Sequence, residues 1–307
     1  PRLLLTVCAA CSTVPPAAVE TPAPAVQRDA QGHAVPPVAR QQAFVVKSPH
    51  GERVDEYYWI RDDNPQQKRP EVMAHLRAEQ AYTEAMLQQL QPLEAQLLKE
   101  IRGRIQEDDS TAPQHDRGWW MWQAYREGGE HPVWMRRQGG VKGPERGAPE
   151  QVLLDGNELA KGHDYFRVSD VQVSPDGSRV AWTQDTQGRR GHELRVRDIR
   201  SGRDLPDRIL GTLESVVWSN DGGSLFYMRQ DPVLLQSGPV CRHVLGTPPA
   251  QDTVVFDEPD KTLFTEIGAT ASRKFLAIQT EGYDDNELRV VSLDAPGDAP
   301  RVVLPRV

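Results

Sequence analysis

At 307 residues, with 38 % hydrophobic and 26 % charged side chains, the chain is long enough for a sizeable core and one or two globular domains. Its formal net charge of −8 lacks the basic footprint that nucleic-acid binding needs, so no nucleic-acid partner is expected. No run beyond the N-terminus reaches the roughly 18 apolar residues of a spanning helix.

The first residues are Arg2, then Leu3-Leu4-Leu5-Thr6-Val7, then Ala9-Ala10 before Cys11. Basic, apolar and small residues in that order match the end of an export signal, and residues 1–11 are read as its remnant. The absence of an initiating Met predicts that the true start is missing. Ala9-Ala10-Cys11 also resembles a bacterial lipoprotein processing site, although Cys8 stands where such sites usually carry Leu. Cys11 is therefore a weak candidate for lipidation. The expected location is the periplasm or cell envelope of a bacterium, with membrane contact only through such an anchor. Cys8-Ala9-Ala10-Cys11 has the spacing of a redox or metal half-site, but neither a βαβ context nor a second pair supports it. Residues 12–44 are rich in Pro, Ala and Val. They hold too few large apolar groups to offset the entropy of ordering, and read as a disordered tether.

Residues 45–110 read as a helical docking segment. Pro70 opens a first helix, because its missing N–H would be unpaired there anyway. Val72, Met73, Leu76, Tyr82, Met86, Leu87 and Leu90 fall on one broad face, interrupted by Glu79 and Thr83. Pro92 opens a second helix with a cleaner stripe of Leu93, Leu97, Leu98, Ile101 and Ile105. Such faces must dock on something larger.

After Glu107-Asp108-Asp109-Ser110 the apolar period falls from 3.6 to 2. Trp119–Tyr125 and Val133–Arg137 read as a hairpin. Gly139–Pro149 reads as a loop and Gln151–Leu154 as a short strand. Val168–Gln184 is strand, turn, strand around Ser174-Pro175-Asp176-Gly177. Pro suits the first central turn position and Gly accepts positive φ. A similar unit returns at Leu213–Met228 around Ser219-Asn220-Asp221-Gly222. A degraded one returns at Phe264–Thr280 around Ala271-Ser272-Arg273-Lys274. The spacing of about 45–50 residues suits four-stranded propeller blades. Four units are expected, at about 117–160, 165–210, 212–258 and 262–307. An open array leaves a bare sheet edge, so residues 111–307 are read as an incomplete propeller, the N-terminal part of a longer protein.

Four stretches carry a resemblance: Asp55–Asp63 with the helix that follows; the Trp119–Arg137 hairpin with His131-Pro132-Val133-Trp134; Val168-Ser169-Asp170 leading into Ser174-Pro175-Asp176-Gly177; and Cys241-Arg242-His243-Val244-Leu245-Gly246-Thr247 with Asp252 after it. Over roughly residues 45–307 the chain resembles the N-terminal region of the prolyl oligopeptidase family of serine peptidases, on its oligopeptidase B branch. The resemblance implies a mainly β fold. About four blades of a seven-bladed propeller follow an N-terminal helical segment, and the α/β-hydrolase domain is absent. It implies an oligopeptidase acting on short peptides, with some preference for Lys or Arg, whose propeller restricts substrate size. The implied partners are short peptide substrates and the protein's own C-terminal hydrolase domain. The alternative is a non-catalytic periplasmic propeller that binds protein or peptide.

The family's nucleophile sits on Gly-x-Ser-x-Gly, which these residues lack. No catalytic residue is assigned, and the fragment alone is expected to be inactive. No cofactor and no metal site are assigned either. Ser174 and Ser219 read as turn serines bonding local backbone. The eight histidines show no ligand spacing, and His243 reads as strand packing. The acids at Asp62-Asp63, Glu107-Asp108-Asp109 and Asp284-Asp285-Glu287 read as solvated. Gly139-Gly140-Val141-Lys142-Gly143 lacks the spacing of a phosphate loop. Trp119, Trp120 and Trp122 read as buried between blades.

Overall fold

The structure is a computed structural model that describes residues 25–64, 67–232 and 234–306. The proposed export remnant and Cys11 lie outside the described residues. The chain divides into two compact units, 1–104 and 105–307.

The first unit opens with a hairpin that periodicity did not signal: β1 (Phe44–Ser48) and β2 (Gly51–Asp55), paired antiparallel. Trp59 is buried, donates its indole N–H to the Arg40 carbonyl at 2.7 Å, and packs against His75. It thereby ties the extended chain to α1 (Pro70–Leu87), whose own buried residue is Val72. A short 3-10 turn carrying Leu90 leads into α2 (Gln91–Arg102). Pro92 lies in its first turn, as its missing N–H favours. The helix ends at Gly103, so Ile105 falls off the stripe assigned to it. Nothing on α2 is buried: Leu93, Leu97, Leu98 and Ile101 are 46 to 55 % exposed. Among the described residues no helix is long and apolar enough to cross a membrane.

The second unit consists of antiparallel four-stranded blades. The first is β3 (Gln114–Asp116), β4 (Trp119–Ala124), β5 (Val133–Gly140) and β7 (Glu150–Asp155). β6 (Gly143–Pro144) folds back on the end of β5, so strand pairing enters the Gly139–Pro149 stretch that reads as loop. A one-turn helix, α3 (Gly156–Leu159), is capped by the Asp155 carboxylate, which accepts from Asn157 and Glu158 N–H. The second blade is β8 (Arg167–Val173), β9 (Arg179–Asp185), β10 (His192–Asp198) and the first half of β11 (Arg203–Trp218). The third is the second half of β11 with β12 (Ser224–Gln230), β13 (Ser237–Val244) and β14 (Thr253–Phe256). The fourth is β15 (Phe264–Ala269), β16 (Phe275–Glu281), β17 (Asn286–Ser292) and β18 (Arg301–Leu304).

β11 is one strand where the sequence suggests a boundary at 210–212. Its first half pairs with β10 up to Thr212, its second with β12 from Thr212 on, and the register breaks between Thr212 and Val216. Gly211 at φ +70° supplies the crease. A glycine bulge bends a strand without ending it.

Alternation along the strands buries both faces of a blade. On β12, Leu225 and Tyr227 join a cluster with Leu194, Val196 and Trp218, while Phe226 and Met228 join Ile267, Leu276 and Ile278. Leu154, Val180 and Trp182 fill the space between the first two blades. Fully burying one such large apolar side chain stabilises the fold by about 1.5–3 kcal/mol. Arginines add a second tie between neighbouring blades. Arg136, stacked on Trp119 at 3.8 Å, donates to the Gly177 carbonyl at 2.8 Å, and Arg179 donates to the Gly222 carbonyl at 3.3 Å.

Candidate functional site

β8, the second half of β11 and β15 stand side by side as the inner strands. The Val216 N–H donates to the Asp170 carboxylate at 3.0 Å, and the Trp218 indole to the Gln172 carbonyl at 2.9 Å. Around them lie two adjoining cavities. One, of about 480 Å3, is lined by His115, Asp116, Trp122, Ser169, Asp170 and Gln172 among others. The second, of about 110 Å3, has walls of Val216, Val217, Ile267 and Leu293, with Arg117, Arg273 and Asn220 at its polar side. Asp170, Gln172, Val173 and Arg273 line both. Gln172 donates to Asp170 at 2.7 Å. Burial, which disfavours the charged form, pushes the Asp170 carboxyl above its ordinary value against those hydrogen bonds.

One end of this space is rimmed by the turns that join the first two strands of blades one, three and four, through Arg117, Asn220 and Arg273, while the matching turn of blade two lines a separate small pocket. In blades two, three and four these turns superimpose residue for residue: Gly177, Gly222 and Arg273 each donate their N–H to Ser174, Ser219 and Thr270. All three hold positive φ, at +72°, +66° and +56°. In blade one the turn is Arg117-Gly118, with φ of +47° and +80°, the primed geometry that usually takes Asn-Gly. Arg273 pairs with Asp116 at 2.9 Å and its carbonyl accepts from Asn220. Burial and the neighbouring Arg273 cation push the Arg117 guanidinium below its usual value.

The residues that stand out in the sequence fall elsewhere. The Ser174 and Ser219 hydroxyls donate to Asp176 at 2.6 Å and Asp221 at 2.5 Å and accept from Arg179 and Ser224 N–H, as turn serines do. Their bonds to Asp176 and Asp221 hold both carboxyls low, Asp176 at about 2. His243 is fully buried between two carboxylates, with Nδ1 2.7 Å from Asp252 and Nε2 3.0 Å from Asp207. Asp252 also accepts from Tyr227 at 2.7 Å. The Tyr227 hydroxyl is consequently hard to ionise, because burial and that carboxylate both oppose its charge. Asp63 pairs with Arg61, and Asp62 accepts the Arg69 N–H. Glu287, read as a solvated acid, is buried and pairs with Arg289 at 2.7 Å, because it lies on β17 rather than in a loop. Trp119, Trp120 and Trp122, read as buried between blades, are only half-buried: Trp119 lies between blades one and two under Arg136, Trp120 packs on His115 within blade one, and Trp122 lines the larger cavity. Among the described residues no group of three or more His, Cys, Asp or Glu is placed to hold a metal.

The cavity residues Arg117, Asp170, Gln172 and Arg273 carry no motif. The one signal for them was the degraded turn of the fourth blade, and its expected position is one residue late: read as Ala271-Ser272-Arg273-Lys274, the turn closes from Thr270 to Arg273 and so puts Arg273 where the repeat has Gly177 and Gly222.

Blades stacked around an axial cavity define a β-propeller module. Residues 36–307 match the profile of the prolyl oligopeptidase N-terminal β-propeller domain, and the chain belongs to that family. It is 41 % identical over 275 residues to dipeptidyl aminopeptidase BI of Pseudoxanthomonas mexicana, covering 86 % of this chain and 38 % of that protein. It is 27 % identical to protease 2 of Moraxella lacunata, covering 80 % of this chain and 36 % of the relative. Among solved structures, oligopeptidase B from Leishmania major superimposes with a TM-score of 0.78 at 25 % identity, over 89 % of this chain and 40 % of that one. The chain thus spans less than half the length of these relatives.

Proposed function

We propose that the full-length protein is an exported serine peptidase of short peptides and that this chain supplies its substrate-restricting propeller. The observation that carries this reading is the match of residues 36–307 to the propeller of a peptidase family. Hydrolysis would be acyl transfer, with a Ser nucleophile, a His base and an orienting Asp. The 307 residues contain no Gly-x-Ser-x-Gly, so that machinery is assigned to a hydrolase domain elsewhere in the protein. The exposed Leu93, Leu97, Leu98 and Ile101 of α2 give that domain an apolar face to dock on. The cavity lined by the blades, of about 480 Å3, supports this reading, because a short extended peptide fits such a volume and a folded domain does not.

Two relatives point to different cleavage modes. The name oligopeptidase B, carried by a solved neighbour, favours cleavage within short peptides, and the family resemblance read from the sequence adds a preference for Lys or Arg. The relative at 41 % identity is named a dipeptidyl aminopeptidase, which favours release of dipeptides from a free N-terminus. The test is to assay the full-length protein on an N-blocked Arg substrate, an unblocked dipeptide substrate, a short peptide and a folded protein. Cleavage of the blocked substrate supports the first mode, and cleavage of the unblocked one alone supports the second. Failure on every substrate would support a non-catalytic binding propeller. Equal cleavage of the folded protein would remove the size filter.

A further inference from the structure

We propose that the rim formed by Arg117 and Arg273 binds the C-terminal carboxylate of a peptide lying in the propeller cavity. The inference rests on the reading that peptides enter this cavity, and it adds which end of the peptide is held and by what.

Three observations carry it. The first is backbone conformation. Arg117 and Arg273 hold φ of +47° and +56°, which a residue with a Cβ adopts at a cost; at the position of Arg273 the second and third blades use Gly177 and Gly222, and at the position of Arg117 a primed turn usually takes Asn. Two other non-glycine residues among those described share this conformation, Arg190 and Leu235, but neither lines either of these cavities. These turns need positive φ in any case, and Gly or Asn supplies it at little cost, so an arginine kept at both positions beside one cavity points to a use for its side chain. The second is charge. Arg273 is paired with Asp116, whereas no ion pair or hydrogen bond engages the Arg117 side chain among the described residues. The Arg273 cation acts on Arg117 more strongly than the neighbouring Asp116 carboxylate offsets it, and a further anion between the two guanidiniums relieves that. Asp170, the acid in the same cavity, has its oxygens engaged by the Val216 N–H and the Gln172 amide. The third is shape. Behind the arginines the walls are Val216, Val217, Ile267 and Leu293, which suit an apolar terminal side chain. A planar guanidinium fork matches a carboxylate in both geometry and charge.

The test uses the full-length protein, treated with a serine-directed phosphonofluoridate so that nothing is cleaved. Two fluorescein-labelled peptides ending in Val-Leu, one a free acid and one the C-terminal amide, are titrated by anisotropy at low salt. The acid should bind about tenfold more tightly than the amide, the worth of one charge-assisted contact. Arg117→Asn should reduce that preference to about twofold or less. Asn is at home in the left-handed region, so an unchanged thermal midpoint is expected for this variant. Arg117→Lys should keep part of the preference as a second check. Equal affinity for acid and amide, or an undiminished preference in Arg117→Asn, would overturn the assignment. So would binding of inorganic phosphate at this rim without any peptide preference. Because binding is read without turnover, a protein that cleaves nothing would sink the peptidase reading and leave this result standing.

Discussion

Asp176 and Asp221 each close a turn by accepting from the serine two residues before. A carboxylate with such donors is stabilised in its charged form, and Asp176 is held at about 2 against an ordinary 3.8. A depressed pKa gives stability that is present above the unfolded value and is lost as pH falls through the folded one. The window is therefore from about pH 4 down to about 2. Both aspartates are exposed, so each contributes less than about 1 kcal/mol after solvent screening. Asp176→Asn with Asp221→Asn should flatten the fall in melting temperature between pH 4 and 2, measured by circular dichroism. An unchanged acid limb would show that other carboxylates dominate. His243 is a harsher case. Both ring nitrogens face carboxylate oxygens, which only accept, so both must donate for both contacts to be hydrogen bonds. His243→Ala strands two buried carboxylates, and breaking a buried pair costs about 3–5 kcal/mol. Urea unfolding should place this variant among the most destabilised of any single substitution. A loss below about 1 kcal/mol would mean that water replaces the ring. The sequence displays His243 and, nine residues on, Asp252. Asp207 lies 36 residues earlier on a different strand, and no local pattern joins it to them.

At the scale of elements, the turn-bearing strands were legible because Pro, Asp and Gly punctuate them and alternation flanks them. The paired helices were legible from their prolines and apolar faces. β1 and β2 were not, because their side chains are largely exposed and give no alternation. Nor was the unity of β11, since a turn-like Gly inside a strand reads as a boundary. Gly211 makes that continuity testable. It holds φ +70° and a Cβ there would meet nothing within 4 Å. Gly211→Ala therefore isolates the backbone cost, about 1–2 kcal/mol. The expected result is a lower urea midpoint with an unchanged slope. No loss would mean that the crease relaxes freely and that the two blades are coupled less tightly than one shared strand implies. The cavity rim was the least legible part. Arginines at left-handed turn positions have no periodic signature, and they acquire meaning only once three turns can be superimposed.

For the whole molecule, what the blades leave uncovered is as informative as what they bury. In the third blade nearly every residue of β12 is buried, whereas β18 is exposed throughout, with Val303 at 44 % and Leu304 at 54 %, and Phe264 on β15 is 54 % exposed. A terminal strand with apolar side chains and free backbone groups is a template for pairing. α2 presents a second apolar surface of similar exposure. The 307-residue chain expressed alone should therefore self-associate, with a sedimentation coefficient that rises with concentration, and should not hydrolyse peptide esters. The two surfaces predict different remedies. Val303→Lys with Leu304→Lys should suppress association if blade edges drive it, and Leu97→Glu with Ile101→Lys should do so if the helix face drives it. On the proposed reading the full-length protein should show neither behaviour, because a further blade would pack on the open face of the fourth and a docked hydrolase domain would cover the helix. A monodisperse, cooperatively melting monomer of the 307-residue chain would overturn this, and would mean that these exposed groups are tolerated as ordinary surface.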